Sequence, residues 1–343
     1  MKKINVLVTG NQGFIGCWVS LLLLKNNFNL HGIDDRSSFG ERLFDKLKLK
    51  SHFKSQYKFN INNLKKIKSI VDTHKIDVII NLAGQAIVPR AFTEPVKTYS
   101  DNALGTLSLL NISDESKSVK SFITITSDKV YENFNNGIPF NEDDPLGGKD
   151  IYSISKSASE NIVATYIKSH QSKKDLNIQT IRLGNVVGGG DFSINRLIPD
   201  LFNSVKLKEK FLCRFPKATR PFQHVTDVAN GIGKIMISSL NGQIESGESW
   251  NLGPKNNSFM IVEDVLKEFI KKFPNIKIKN NSKNLPEDIL LSVSVEKYSN
   301  KFGMPLMTSN ESVIEAINWY YEYINGMPLN KLVDYEVKKL IKI

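Results

Sequence analysis

From Ile4 the chain reads INVLVTGNQGFIG, apolar β-branched residues running into Gly10, Gly13 and Gly16, with a long apolar stretch behind them. A buried strand, a glycine turn and a helix account for this pattern. Asn29–Asp35 (NLHGIDD) reads as a second strand ending in acid, and Tyr57–Ile61 as a short third strand. Leu64–His74 has helical spacing, and Val78–Gly84 (VIINLAG) reads as a buried parallel strand. Pro95 stands near the first turn of a long helix, where a missing N–H costs little, with Asn102 and Gly105 in its middle. Ser121–Asp128 (SFITITSD) is the fifth strand, followed by a loop rich in Asn, Asp, Pro and Gly and then a helix carrying Tyr152 and Lys156. Strands and helices alternating at this rhythm predict a doubly wound parallel α/β sheet.

Beyond that helix the pattern changes. Ile178–Val187 reads as a sixth strand broken by Gly188–Gly190, RLIPDLFNSV as a helix and FLCRF as a short strand. His224–Leu240 is a helical stretch returning to the first domain, and Ser249–Gly253 is one more strand. Helices at Ile261–Phe273 and Ser312–Ile324 mix with short strands in the remainder. The expected division is 1–187 with 222–254 as a dinucleotide-binding domain, and 188–221 with 255–343 as a smaller C-terminal α/β substrate-binding domain. Lys277–Lys283 reads as a flexible surface loop, and the residues after Asn325 as a tail or a packed helix.

A formal net charge of +11 raises the question of nucleic acid or membrane. The lysines, however, fall in short clusters such as Lys65–Lys66, Lys173–Lys174 and Lys271–Lys272, where solvated helix faces or ends belong. No aromatic-interleaved basic patch accompanies them, so neither a nucleic-acid nor a membrane partner is expected. Leu21–Leu24 is too short to span a bilayer. Cys17 and Cys213 lack metal-ligand spacing and imply no disulfide framework, and Met1–Lys3 leads straight into a strand without a cleavage pattern. The expectation is a reduced, cytoplasmic protein without a metal.

Gly10, Gly13 and Gly16 sit where a dinucleotide pyrophosphate needs a tight turn, close backbone approach and close helix–strand packing. Asp34, 18 positions after Gly16, stands near the distance at which a carboxylate holds the adenosine ribose hydroxyls, which favours NAD. Arg36 and the serines after it are the counter-indication, since such residues also hold the 2′-phosphate of NADP. Asn60 is placed to meet the adenine edge, and Ala83 and Gly84 let a cofactor lie against the backbone. Thr126-Ser127-Asp128-Lys129 closes the fifth strand at its carboxyl end, where ligands bind in open α/β sheets. Tyr152 and Lys156 share one helical face, and an ammonium beside a phenol lowers the tyrosine pKa.

The fingerprint, Ser127 and the Tyr152/Lys156 pair together resemble the extended short-chain dehydrogenase/reductases that act on nucleotide sugars. Longer stretches narrow the resemblance: QAIVPR from Gln85, TSDKVYEN from Thr126, DPLGGKDIY from Asp144, GNVVGGGD from Gly184, RLIPD from Arg196, ATRPFQHV from Ala218 and WNLGP from Trp250. These are similar to the CDP-glucose 4,6-dehydratases, nearly throughout up to Pro254 and weakly beyond. Ser127-Asp128-Lys129 stands where related sugar dehydratases carry Thr-Asp-Glu, and the lysine marks the CDP-glucose branch. Ile15 departs from that branch, which usually has lysine there.

The resemblance implies a Rossmann fold binding NAD through Gly10, Gln12, Gly13, Phe14, Ile15, Gly16, Asp34, Asp35, Asn60, Ile61, Leu82, Ala83, Gly84, Gln85, Asn102, Thr126, Tyr152 and Lys156. It implies catalysis by Ser127, Asp128, Lys129, Tyr152 and Lys156. Tyr152 as phenolate takes the 4-hydroxyl proton of the hexose while hydride leaves C4, and Ser127 bonds the same oxygen. The 4-keto group then acidifies C5–H, neutral Lys129 removes that proton, protonated Asp128 assists the departing 6-hydroxyl, and hydride returns to C6. In isolation Asp128-Lys129 reads more readily as a surface ion pair at a loop entrance; the matched stretch gives the pair its functional reading. Glu132 is either an assistant or a solvated loop carboxylate.

Arg220 is the first choice for the substrate diphosphate, because its planar fork matches phosphate oxygens, with Arg196, Asn185, Arg90 and Gln223 as further substrate contacts. His224 receives no catalytic role, and Gly188–Gly190 makes room near the nucleotide or a plain turn. A 4-epimerase or a dehydratase using UDP-, dTDP- or GDP-hexose is the alternative, and a non-catalytic dinucleotide-binding regulator a more distant one. A homodimer or homotetramer is expected through the long helices, with Ile154, Ala158, Ile162 and Tyr166 facing either a partner or the core.

Overall fold

The computed structural model describes residues 3–36, 40–169, 176–280 and 290–343. In chain order the strands are β1 (Asn5–Thr9), β2 (Asn29–Ile33), β3 (Ser55–Tyr57), β4 (Val78–Asn81), β5 (Ser121–Ile125), β6 (Asn177–Leu183), β7 (Asn185–Val187), β8 (Lys210–Cys213), β9 (Thr219–Arg220), β10 (Phe222–His224), β11 (Glu248–Leu252), β12 (Met260–Ile261) and β13 (Lys277–Asn280). The helices are α1 (Phe14–Lys25), α2 (Leu43–Lys46), α3 (Leu64–His74), α4 (Val88–Thr93), α5 (Pro95–Tyr99), α6 (Gly105–Glu115), α7 (Ile151–Ser169), α8 (Leu197–Leu207), α9 (Val225–Leu240), α10 (Val262–Lys272), α11 (Glu296–Phe302), α12 (Ser309–Ile324) and α13 (Leu329–Lys339).

Seven strands form one parallel sheet in the order β11-β6-β5-β4-β1-β2-β3. Its strands are buried on both faces, as the unbroken apolar runs require. Val6, Val8, Val78 and Ile80 pack towards α1 and α9, whereas Leu7 and Ile79 pack towards α3 and α6. The two-residue period sends alternate residues to opposite helix layers. A separate cluster around Phe202, Phe211, Phe269, Ile317 and Tyr320 joins α8, α10 and α12 with β8.

Several expected boundaries move. Phe59–Ile61 lies outside β3, and β4 ends at Asn81, so that Leu82–Gly84 are already loop. The stretch expected as one sixth strand is two: Gly184 separates β6 from β7, and β7 pairs with β10 outside the large sheet. Lys277–Asn280 is a strand parallel to β8 rather than a loop, because Ile276 and Ile278 pack on the apolar cluster beneath. The rest of that expected loop, 281–283, falls outside the described residues, as does Lys173–Lys174. The long helix from Pro95 is continuous but takes a π-turn at Ser100–Leu104.

Past Asn325 the chain forms α13, whose Leu332 and Val333 are buried. Lys25 Nζ donates to the carbonyls of Val337 and Leu340, Asn26 Nδ2 donates to Ile341 O at 3.1 Å, and Ile343 N donates to Asn26 Oδ1 at 2.9 Å. The carboxyl end of α1 is thereby tied to residues more than three hundred positions away.

Candidate active site

The fingerprint forms one end of a cavity of about 250 Å³ at the carboxyl edge of the sheet. Gly10 has φ +68°, open to glycine at little cost, and a Cβ on Gly16 would stand 2.2 Å from Gly10 O. Gly13 caps α1 without a side-chain bond, and its first turn carries no acid, so the positive end of the helix faces the cavity uncompensated. Gly10, Gly13, Phe14, Ile15, Gly16, Asp34, Asp35, Asn60, Ile61, Leu82, Ala83, Gly84, Gln85, Thr126, Ser127, Tyr152 and Lys156 all line it. A glycine floor, a helix end and a carboxylate beyond β2 fit a dinucleotide.

Asp34 is fixed from several sides. Its Oδ2 accepts from Gln12 N at 3.2 Å, its Oδ1 accepts from Arg36 N at 2.7 Å, and Arg42 Nη1 lies 3.2 Å from Oδ1. Burial raises its pKa, against the pull of these donors. The Arg36 side chain instead turns to Asp45 in solvent, so the cation beside the Asp34 carboxylate is Arg42 and not Arg36.

Four residues expected at the site have other partners or lie away from the expected wall. Gln12 lies outside the cavity wall and supports Asp34 through its N–H and Arg42 through its Oε1. Asn102 is buried behind the wall, accepting from Gln85 N at 2.8 Å and donating to Gln85 O and Ser155 Oγ, so it shapes the Gly84–Gln85 turn. Arg90, expected on the substrate, pairs with Glu94 through two 2.9 Å bonds and lines the cofactor cavity. Gln223 is 1% exposed within β10 and lines neither cavity, because its alternate position on the strand points it inward.

Ser127 caps a short 3₁₀ turn at Asp128–Val130, accepting from Lys129 N at 3.2 Å and donating to Asp128 Oδ1 at 3.1 Å. It also hydrogen-bonds Tyr152, the second residue of α7. That helix is started by Asp150 and Ser153, whose side chains receive each other's backbone N–H, at 2.9 and 3.0 Å. Lys156 Nζ donates to Ile125 O at 2.9 Å. Burial pushes Lys156 down to about 8, opposed by the charge of Glu160, and pushes Tyr152 up to about 12 despite its bond from Ser127. For Tyr152, desolvation of the phenolate outweighs the hydrogen bond and charges around it.

Behind this cluster lies a buried ion pair, Arg182–Glu160 at 3.1 Å, with Thr126 and Thr180 donating to Glu160 and Arg182 donating to Tyr131 Oη at 2.8 Å. It fixes the end of β5 from below.

Ser127, Asp128, Lys129 and Tyr152 also open on a larger cavity of about 850 Å³, walled by Asn185, Arg196 and Arg220 and extending along α8 and the 211–215 segment. Arg220 is 5% exposed, its Nη1 donating to Thr219 O at 2.7 Å. Arg196 lies 3.8 Å from Asp191 and borders both cavities. Glu132 is exposed outside them. Gly188 borders the larger cavity, whereas a Cβ on Gly189 would meet the Trp319 ring at 2.3 Å and one on Gly190 would meet Leu43 at 2.5 Å. Those two glycines serve packing. His224 is a buried cap of α9, with its pKa pushed down to about 3 by burial. Asp101 on the smaller cavity and Asp200 and Arg214 on the larger were not singled out from the sequence, nor was Arg42 beside Asp34; Asp200 and Arg214 stood in segments read only as helix and strand.

Among the described residues no His, Cys, Asp and Glu group is placed to hold a metal, and no helix is long and apolar enough to cross a membrane. Cys17 and Cys213 are both free and buried.

Fold and site together define a dinucleotide-dependent enzyme whose substrate cavity adjoins the cofactor cavity at Ser127 and Tyr152. The chain belongs to the NAD dependent epimerase/dehydratase family, whose model matches residues 6–253, and NAD is the dinucleotide of that family. It is similar to CDP-glucose 4,6-dehydratase of Salmonella typhimurium, 27% identical over 94% of this chain and 92% of that protein. It is also similar to UDP-glucuronate 4-epimerase of Thermodesulfobacterium geofontis, 28% identical over 93% of this chain and 96% of that one. In fold it matches the NAD complex of dTDP-glucose 4,6-dehydratase from Bacillus anthracis, with a TM-score of 0.80, 22% identity and coverage of 96% and 99% of the two chains.

Proposed function

We propose that the chain is a nucleotide-hexose 4,6-dehydratase acting on CDP-glucose and releasing CDP-4-keto-6-deoxyglucose. The observation that carries this reading is that Asp128 and Lys129 line the same cavity as Ser127 and Tyr152, on the substrate side of the cofactor cavity. A 4-epimerase needs to move only the C4 proton and hydride; an acid and a base beside them serve the loss of water.

The cofactor cavity's residues would hold NAD with Asp34 at the adenosine ribose and Lys156 at the nicotinamide ribose. When bound, NAD would supply the acceptance of a hydride from C4 and its return at C6. Tyr152 Oη accepts the proton of the sugar 4-hydroxyl, and Ser127 Oγ holds the same oxygen. The resulting carbonyl acidifies C5–H. Lys129 takes that proton, the Asp128 carboxyl delivers one to the departing 6-hydroxyl, which leaves as water, and the Lys129 ammonium returns its proton to C5 when C6 regains hydride. Proton transfer by a positioned group contributes roughly 10²–10⁴-fold at each such step. Arg220, Arg196 and Asn185 hold the diphosphate.

The CDP choice is supported by Lys129 and by the likeness to the Salmonella enzyme. The functional unit is a homodimer or homotetramer, for which support comes from exposed Val96, Leu104, Leu107, Ile151 and Ile154 on α5 to α7. Of the positions named from sequence, Tyr166 is core, and Ala158 and Ile162 are half-buried.

Incubation with CDP-, UDP-, dTDP- and GDP-glucose tests the reading. Loss of one water from CDP-glucose by mass, with an alkaline-absorbing 4-keto product, is expected. Turnover of another nucleotide hexose in place of CDP-glucose overturns the base assignment, and inversion at C4 without loss of water overturns the reaction.

A further inference from the structure

The end of the cofactor cavity farthest along the sheet from Tyr152 is a corner made by Asp35 after β2, Phe59–Ile61 after β3, and Asp101 in the π-turn. Position 60 is where the adenine contact is expected, yet the Asn60 amide is already committed. Its Oδ1 accepts from Asn62 N at 2.9 Å, and its Nδ2 donates to Asp101 Oδ1 at 2.9 Å and to Asp35 Oδ2 at 3.2 Å. A primary amide has two N–H donors, and both are used.

Asp101 is different. It lines the cavity, is 8% exposed, and accepts from Asn60 at one oxygen and from Lys97 at the other. An ionised carboxylate offers about four acceptor sites, so each oxygen retains capacity for a further donor. Lys97 lies 3.9 Å from Asp35 as well, which offsets the charge of two carboxylates meeting in one corner. Adenine presents an exocyclic amine with N–H to donate, and a carboxylate suits it; a purine with oxygen at that position would meet lone pair against lone pair. Between the two acids, the Asp101 side chain is the less exposed, 11% against 26%, and sits on a helix continuous from Pro95 to Glu115 rather than on a loop. Its interaction is the less screened and the better fixed.

We propose that the carboxylate of Asp101 receives the exocyclic amino group of the cofactor's adenine, with Asn60 and Lys97 as positioning residues that hold this carboxylate in place. The assignment rests on the cavity being the NAD site. It makes Asp101 a specificity-determining residue for the purine.

Calorimetric titration of the purified, nucleotide-free protein with NAD and with nicotinamide hypoxanthine dinucleotide tests it without any turnover. The wild type is expected to bind NAD at least about tenfold more tightly than the hypoxanthine analogue. Asp101→Asn, nearly isosteric and able to donate to the purine oxygen, brings the ratio close to one; Asp35→Asn leaves it intact. If Asp101→Asn does not fold, as judged by its melting curve, Asp101→Ser reads the same ratio. Equal affinities in the wild type, a preference that survives loss of the Asp101 carboxylate, or a preference lost in Asp35→Asn and retained in Asp101→Asn overturns the assignment. Failure of the wild type to bind either dinucleotide overturns the cofactor reading beneath it, a result distinct from weak discrimination.

Discussion

Asp34 and Arg42 lie 3.2 Å apart at the ribose corner, with only 10% and 7% of their side chains exposed. A cation of the kind that holds a 2′-phosphate is thus already in place, neutralised by the carboxylate that selects against that phosphate. Asp34→Asn should therefore weaken NAD by about 1.5–3 kcal/mol, a loss of roughly tenfold to a hundredfold, and raise affinity for NADP relative to NAD; calorimetry with both dinucleotides reads this. Lys129→Met should stop loss of water from the nucleotide hexose while C4 oxidation continues, seen as reduced-nicotinamide absorbance without a dehydrated product. Full dehydration by that variant removes Lys129 from the chemistry. Lys156 is an ammonium below about 8 and neutral above it, because burial lowers its pKa. A cation that holds ribose and supports Tyr152 is lost in that direction, so kcat/KM should fall as pH rises past about 8. The gathering of the glycines, Ser127, Tyr152 and Lys156 at one cavity, and of Asp128 and Lys129 at the next, was legible because their spacing carries the geometry. The partners of Gln12, Asn102 and Arg90 were not legible, because sequence gives a residue's neighbourhood but not the group that has already engaged its side chain.

At the scale of elements, the helix from Leu64 to His74 was legible to the residue: its apolar positions repeat at helical period, and Asn63 caps it by accepting from Lys66 N at 3.2 Å. β3 was overestimated, since Phe59 and Asn60 look like strand but turn away to line the smaller cavity. β13 was missed, since a Lys/Asn-rich stretch hides the alternation that places Ile276 and Ile278 against the apolar cluster. The Gly188–Gly190 connection was read as room near a nucleotide or a plain turn; Gly188 borders the larger cavity, whereas Gly189 and Gly190 form a packed joint. Trp18 Nε1 of α1 donates to Gly189 O at 3.0 Å, and Tyr320 of α12 donates to Asp191 O. Gly189→Ala should cost about 1–3 kcal/mol by overpacking against Trp319, read as a lowered denaturant midpoint. Because Asp191 pairs with Arg196, the same change should raise KM for the nucleotide sugar more than it lowers kcat.

At the scale of the molecule, the doubly wound sheet was legible because both-sided burial and strand–helix rhythm leave few alternatives, and the fate of residues after Asn325 was not, because their anchors lie near the other end of the sequence. Leu340 is 2% exposed in the apolar cluster it shares with α1 and α9. Leu340→Ala should destabilise the fold by about 2–5 kcal/mol, measured by chemical unfolding, with NAD affinity weakened less than stability. The tie between Lys25, Asn26 and residues 337–343 has a consequence for synthesis. During translation the groups that satisfy the last turn of α1 are made more than three hundred residues after the helix itself. A nascent chain therefore carries α1 with its carboxyl end unclosed until residues 337–343 have joined it.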